Sequence, residues 1–401
     1  MRLAALMLVA ACHHPASHTV DAGSDFNVPD ATIDARNMCE NTAGVLLAPR
    51  VDFATGMLPF GIAVADFNGD HLPDLAVATQ QPGGVTILLN SATGCAAAFQ
   101  PGIDIPTEGN VRGVATADFN GDGKPDVAAV AQIGAVTVLL DTTATADTAP
   151  AFAAPVDFVT GDGPTGVVAG DVSGDGVPDL VTCAPTAISV LVNTTAPGAA
   201  APSFADKLDL PHSGDTHGVA LGDFNSDGKL DLAVIDTDHD TVSVYLNTSA
   251  GTLAFAAPVM FGTGGLPFAI AVADLDGDER PDIVVTDIGT ATISILTNTT
   301  PVGAAVVSFA PHIDLPTGVR PYAVAIGDVN RDGRPDIVVA AETSSALSIH
   351  LAGASSYAPK LDVTTLGSPH GVALADLDGD TAPDIIVSSS DTDMVSVLLA
   401  R

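Results

Sequence analysis

The chain has 401 residues, with 48 Asp or Glu against 13 Lys or Arg, a formal net charge of −35 at pH 7. So few cations exclude a nucleic-acid partner, because a phosphate backbone is held by Lys and Arg, and the surplus of carboxylates points to bound cations or a basic partner. Hydrophobic residues make up 47%, with 39 Gly and 28 Pro but no Trp and three Tyr, which supplies a large core and many tight turns but little of the aromatic surface on which sugars stack.

The chain opens on MRLAALMLVAA, residues 1–11, with one Arg and then an apolar run. The run is too short to span a bilayer and suits the core of an export signal. It ends in Val9-Ala10-Ala11-Cys12, which resembles a bacterial lipobox. That resemblance implies cleavage before Cys12, diacylation of Cys12, and a place in the bacterial cell envelope, in the outer membrane or at the cell surface. The lipid would be the only contact with the membrane. An ordinary signal peptide cut near Ala11 is the alternative. Two acyl chains anchor stably where one is marginal. Residues 12–44 are rich in Asp, Ala, Pro and Ser without a sustained period, and read as an extended tether.

From residue 45 to 401 one unit recurs. ADFNGDHLPDLAVA carries its first acid of the pattern at Asp66. Related stretches follow at Asp118, Asp171, Asp223, Asp274, Asp328 and Asp376. In the second unit Gly113–Phe119 precedes the acidic loop and Asp126–Ala131 follows it, then come Ala135–Leu140 and Ala154–Val159. Short β-branched runs bounded by Gly, Pro, Asn and Asp are strands. Four strands per unit at a period near ~50 residues predict an all-β, seven-bladed β-propeller. The last unit ends after three strands, at Met394–Arg401, while Ala48–Thr55 is a fourth-type strand without a blade. The N-terminal strand therefore completes the last blade and leaves no sticky edge there.

These units resemble the FG-GAP and VCBS repeats of the integrin alpha chain N-terminal β-propeller family. Crowded carboxylates repel, and a calcium ion with six to eight oxygen ligands would offset that repulsion. By both the residues and the resemblance, positions one, three, five and nine of each loop are ligands. These are Asp66, Asn68, Asp70 and Asp74; Asp118, Asn120, Asp122 and Asp126; Asp171, Ser173, Asp175 and Asp179; and Asp223, Asn225, Asp227 and Asp231. In the last three loops they are Asp274, Asp276, Asp278 and Asp282; Asp328, Asn330, Asp332 and Asp336; and Asp376, Asp378, Asp380 and Asp384. Up to seven structural Ca²⁺ follow. An EF-hand or dockerin needs an acid at position twelve and a helix after it, whereas Val77 and Ala129 stand there. Capping of the turn by Asx hydrogen bonds accounts for one such loop, not for three or four carboxylates in each of seven. Ser173 makes the third site the weakest. His71, Glu279 and Thr381 replace Gly at position six, which puts the geometry of those three loops in question.

Outside the loops, Cys39 and Cys95 precede fourth-type strands in neighbouring blades and are a candidate disulfide in an exported protein, while Cys183 reads as a buried thiol. No nucleophile elbow or histidine metal spacing is present, so no catalytic residue is assigned. One series varies where the rest repeats: Phe60, Arg112, Thr165, His217, Phe268, Tyr322 and His370 open the inner strands. They either plug the axial channel or form a ligand rim opposite the acidic loops, flanked by the acidic segments around Asp238 and Asp391. Three function classes follow. The first is a monomeric, non-catalytic surface lipoprotein binding a protein or polymer partner through this face. The second is a carbohydrate-active enzyme or lectin. The third is a passive envelope scaffold.

Overall fold

Each repeat contains one run that begins with Asp and continues in buried apolar residues, such as Asp126–Ala131, Asp282–Asp287 and Asp336–Ala341, every residue of which is buried. A strand hidden on both faces must sit between neighbours, so this run is an interior strand of a packed sheet. The computed structural model, which describes residues 47–144, 149–212, 214–354 and 356–401, arranges such runs in seven antiparallel sheets of four strands. Blade 1 is Met57–Ala65, Asp74–Gln81, Gly84–Leu88 and Ile103–Pro106 in spatial order. Blades 2 to 6 repeat that order through residue 364. Blade 7 takes Pro369–Ala375, Asp384–Ser389 and Met394–Leu398 from the end of the chain, and Val51–Ala54 from its beginning. The register of that closing pair is Val51↔Val397 through Ala54↔Met394, as the unfinished last unit predicts. The signal, the tether, Cys12 and Cys39 lie outside the described residues.

The core is divided into seven apolar layers, each between two adjacent blades. The layer between blades 7 and 1 joins Ala373, Ile386, Val395 and Val397 to Leu75, Val77 and Leu88, so the ring is closed by packing as well as by a strand. The first strands crowd at the axis, which explains their small second residue. A Cβ on Gly61 would lie 2.9 Å from the Arg112 carbonyl oxygen, and one on Gly371 would strike the Phe60 carbonyl. The acidic loops all join first to second strands and so share one end of the ring. The opposite end carries the start of each first strand and the turns between second and third strands.

Candidate functional site

At the acidic end, every loop is built around its own carboxylates. The aspartate at position one accepts the backbone N–H groups of positions five and six in all seven loops; Asp66 takes those of Asp70 (3.1 Å) and His71 (2.8 Å). Position five accepts the N–H of position seven each time. Position nine is buried, and its two oxygens join separate segments. Asp384 takes Leu377 N on Oδ2 and Ala400 N on Oδ1, both at 2.8 Å. Asp74, Asp126, Asp179, Asp231, Asp282 and Asp336 do the same between position two and the end of the third strand. Asx-type capping thus occurs in all seven loops, and the expectation that it accounts for only one is corrected.

The concern over position six is also corrected. His71, Glu279 and Thr381 take φ of 70°, 67° and 76°, within the same left-handed region as Gly123 at 86° and Gly333 at 82°. The loop geometry is retained and the strain is carried instead. Position four is left-handed as well, even where Ser226 (55°) and Arg331 (59°) occupy it.

Position three differs from the rest. Asn120 and Asn225 donate to Ala199 O (3.2 Å) and Ala304 O (3.0 Å), fastening the long third-to-fourth-strand loop of the next blade over their own. Asp276 makes no hydrogen bond or ion pair and is exposed. Asp378 is buried, with Oδ2 taken by Arg401 at 2.9 Å and Oδ1 without a hydrogen-bond partner. These two acids add nothing to their turns. They complete two triads, Asp274/Asp276/Asp282 and Asp376/Asp378/Asp384, whose ligand oxygens lie within 4.8 Å of one another. Carboxylate oxygens that accept one N–H keep a further lone pair, so such an all-oxygen set suits a hard cation of calcium's type. Asp278 is paired with Arg280, and Asp380 with Arg331 of the neighbouring blade at 2.5 Å.

Burial, with the loop's other aspartates adding to it, raises every position-nine carboxyl. Asp74, Asp126 and Asp231 are pushed to about 7, Asp179, Asp282 and Asp336 to about 6, and Asp384 to about 8. A cation in the loop would remove the part that comes from like charge. Beside the first triad lies a groove of about 670 Å³ lined by Ile295, Ile313, Ala352 and Tyr357. In blades 1, 3, 4 and 5 the residue matching Ala352 is Asn90, Asn193, Asn247 or Asn298, whose Nδ2 donates to the preceding blade at 2.8–3.0 Å. The last three open N-x-[ST] sequences but are buried clamps between blades.

At the other end, all seven varied residues line one axial cavity of about 230 Å³. In five blades the ladder shifts register at this residue, between Pro59 and Ile62, Val111 and Gly113, Pro267 and Ala269, Pro321 and Ala323, and Pro369 and Gly371. The bulge leaves it unpaired and turns its side chain toward the axis. The rings touch around the circle: Phe60–His370 at 4.4 Å, His370–Tyr322 at 4.8 Å, Tyr322–Phe268 at 4.4 Å and Phe268–His217 at 4.7 Å. Arg112 lies over Phe60 at 5.2 Å, and Thr165 reaches the His217 carbonyl at 3.4 Å. All seven are half-buried and surround a hollow. Burial holds the His217 and His370 imidazoles below the usual range and so neutral. Asp238 and Asp391 face the same end but accept Asp215 N (3.1 Å) and Ser368 N (2.8 Å). Cys183 is free and buried, and Cys95 is disulfide-bonded.

Residues 66–129, 223–285 and 328–387 match the FG-GAP-like repeat; each match spans two acidic loops, and the Asp171 loop falls outside all three. No curated protein matches the chain. Among solved structures, BBS1N in complex with ARL6DN shares 11% identity at a TM-score of 0.58, over 89% of this chain and 96% of that one. Virginiamycin B lyase from Staphylococcus aureus shares 12% at 0.55, over 88% and 99%. The Cps50 (Swd1) β-propeller domain of Myceliophteria thermophila shares 10% at 0.57, over 87% and 99%. At such identity the likeness is one of fold, and a fold shared by a binding domain and a lyase assigns no activity. The sheet order and the matched loops together make this chain a seven-bladed β-propeller built of FG-GAP-like repeats.

Proposed function

We propose that this propeller is a non-catalytic binding module, braced by calcium at its acidic end and engaging a protein or polymer partner through the axial mouth at the other. On this reading it is displayed from the bacterial envelope by a lipid on Cys12. The observation that carries the reading is the contrast between the two ends. Seven loops repeat one construction, while the seven residues at the mouth differ in size, charge and hydrogen-bonding capacity, and five of them are presented by bulges. Departure from a repeat is where specificity can reside, and aromatic anchors beside polar groups are the usual core of a contact surface. The alternatives, a carbohydrate-active enzyme or lectin and a passive envelope scaffold, lack support of that kind in the residues at either end.

The test is recovery of a partner from envelope extract by wild type and by the Phe268→Ala, Tyr322→Ala double variant. Recovery by wild type alone, with calcium-dependent melting unchanged in the variant, is the expected outcome. Equal recovery by both removes the mouth from the reading. Collapse of the variant's stability makes the two rings core residues instead. Replacement of Cys12 by Ser should release the protein from the membrane fraction; unchanged fractionation refutes the lipid anchor.

A further inference from the structure

We propose that the axial mouth is a pocket for a monocarboxylate with an apolar body, and that Arg112 anchors its carboxylate. The inference rests on the binding reading above and names the ligand chemistry of the same mouth. Every other arginine among the described residues has a carboxylate partner: Arg50 with Asp52, Arg280 with Asp278, Arg320 with Glu342, Arg331 with Asp380, Arg334 with Asp332, and Arg401 with Asp378. Arg112 has none, in a protein of net charge −35. Its Nε is shielded from solvent and donates to nothing. The face of Phe60 beneath it offsets only part of what a shielded donor on a charged group loses.

Among the described residues no acceptor hydrogen-bonds that Nε. Glu342 pairs with Arg320 at 3.1 Å, and Asp215 Oδ2 lies 3.3 Å from His217 Nε2 while its Oδ1 is buried without a partner. His370 Nδ1 is directed at Ser368 O. Among the described residues Arg112 is therefore the one arginine without a carboxylate against it, and a guanidinium fork fits a planar carboxylate in two parallel hydrogen bonds. A dianion would bring a second charge against Glu342 and Asp215. The hollow of about 230 Å³ takes a body of roughly ten heavy atoms, and Phe60, Phe268 and Tyr322 give it apolar walls. His217 Nδ1 is buried there without a partner. With the proton on Nε2 toward Asp215, Nδ1 accepts a hydrogen bond from a ligand N–H or O–H. An N-acyl amino acid and the C-terminal residue of a peptide share this chemistry.

The test is titration calorimetry of the full calcium-loaded chain with N-acetylphenylalanine and with its carboxamide. The acid should bind saturably and the amide at least tenfold more weakly. Arg112→Gln should weaken acid binding at least tenfold while leaving calcium-dependent melting unchanged. If that variant melts early, Arg112→Lys keeps the charge without the fork, and loss of the preference for acid over amide is read there. Acid and amide binding alike, no binding of either, or acid binding indifferent to both substitutions overturns the proposal. Tetraglycyl-phenylalanine with a free or amidated terminus separates the sources. Displacement of N-acetylphenylalanine by the free peptide alone identifies a chain terminus, and displacement by neither identifies a small organic acid. If acid preference is absent while partner recovery still depends on Phe268 and Tyr322, only the carboxylate inference falls.

Discussion

Asp276→Ala separates calcium ligation from turn capping. Asp276 is exposed and makes no hydrogen bond or ion pair, so its loss removes nothing from the metal-free loop. Surface changes of that kind stay within about 0.5 kcal/mol. Relief of repulsion from Asp274 and Asp278 should make this one slightly stabilising. With calcium the same change removes one of the three acids of a triad. At dissociation constants of about 10⁻⁴–10⁻³ M, 5 mM calcium contributes roughly 1–2 kcal/mol per site. An unfolding entropy near 2.1 cal/mol/K per residue over roughly 350 residues converts this to about 1.5–3 °C. Scanning calorimetry should therefore show Asp276→Ala melting about 1.5–3 °C below wild type in 5 mM calcium, and level with it or slightly above in chelator. Wild type itself should lose about 10–20 °C on chelation if seven such sites are filled. A deficit of equal size in both conditions, or a wild type indifferent to chelator, refutes the argument.

Asp384→Asn should cost about 1–3 kcal/mol in chelator, measured by denaturant unfolding, because one of two buried backbone N–H groups loses its acceptor, and more in calcium, because Asp384 also belongs to a triad. Thr381→Gly should stabilise by about 1 kcal/mol, since a β-branched residue held at φ 76° is replaced by one free to adopt it; a lower midpoint would show that Thr381 does something other than bear strain. Gly371→Ala should cost about 1–3 kcal/mol or more, because its Cβ meets the Phe60 carbonyl of blade 1, and an unchanged melting temperature would place blades 7 and 1 further apart. The raised position-nine carboxyls stabilise the metal-free fold below pH 4 and withdraw that contribution as pH rises through about 6–8. The gain in melting temperature on adding calcium should accordingly grow from pH 5 to pH 8, and a gain constant across that range would mean the loops do not titrate.

Strands, loops and ring closure were legible because one pattern is written seven times, and a period shared by seven units outweighs any single propensity. Two other regularities were equally repeated but carry their partner elsewhere in the chain. Thr86, Thr137, Ser189, Ser294, Ser348 and Ser396 bond Asp104, Asp157, Asp209, Asp314, Asp362 and Asp52 on the fourth strands. The signal was the recurrent Asp between apolar residues, broken in blade 4 by Met260. Asn193 reaches Phe119 O, 74 residues back, and its N-x-T sequence disguises that role. The rim residues were identified by their variability, but the bulge that aims them was marked only by Pro59, Pro267, Pro321 and Pro369 just before. That Arg112 lacks a carboxylate partner is a property of the whole ring, since Glu342 at the same mouth is paired with Arg320.

The pairing of Val51–Ala54 with Met394–Leu398 sets an order of events in time. Blades 1 to 6 are each contiguous in sequence and can assemble in turn as the chain emerges, at the modest entropic cost of local contacts. The opening strand must wait unpaired until the last strand arrives. Its Val51 and Phe53 are then exposed with free backbone groups until the last strand has been made. The interval before the ring shuts is the one in which this protein is most open to pairing with another copy of itself.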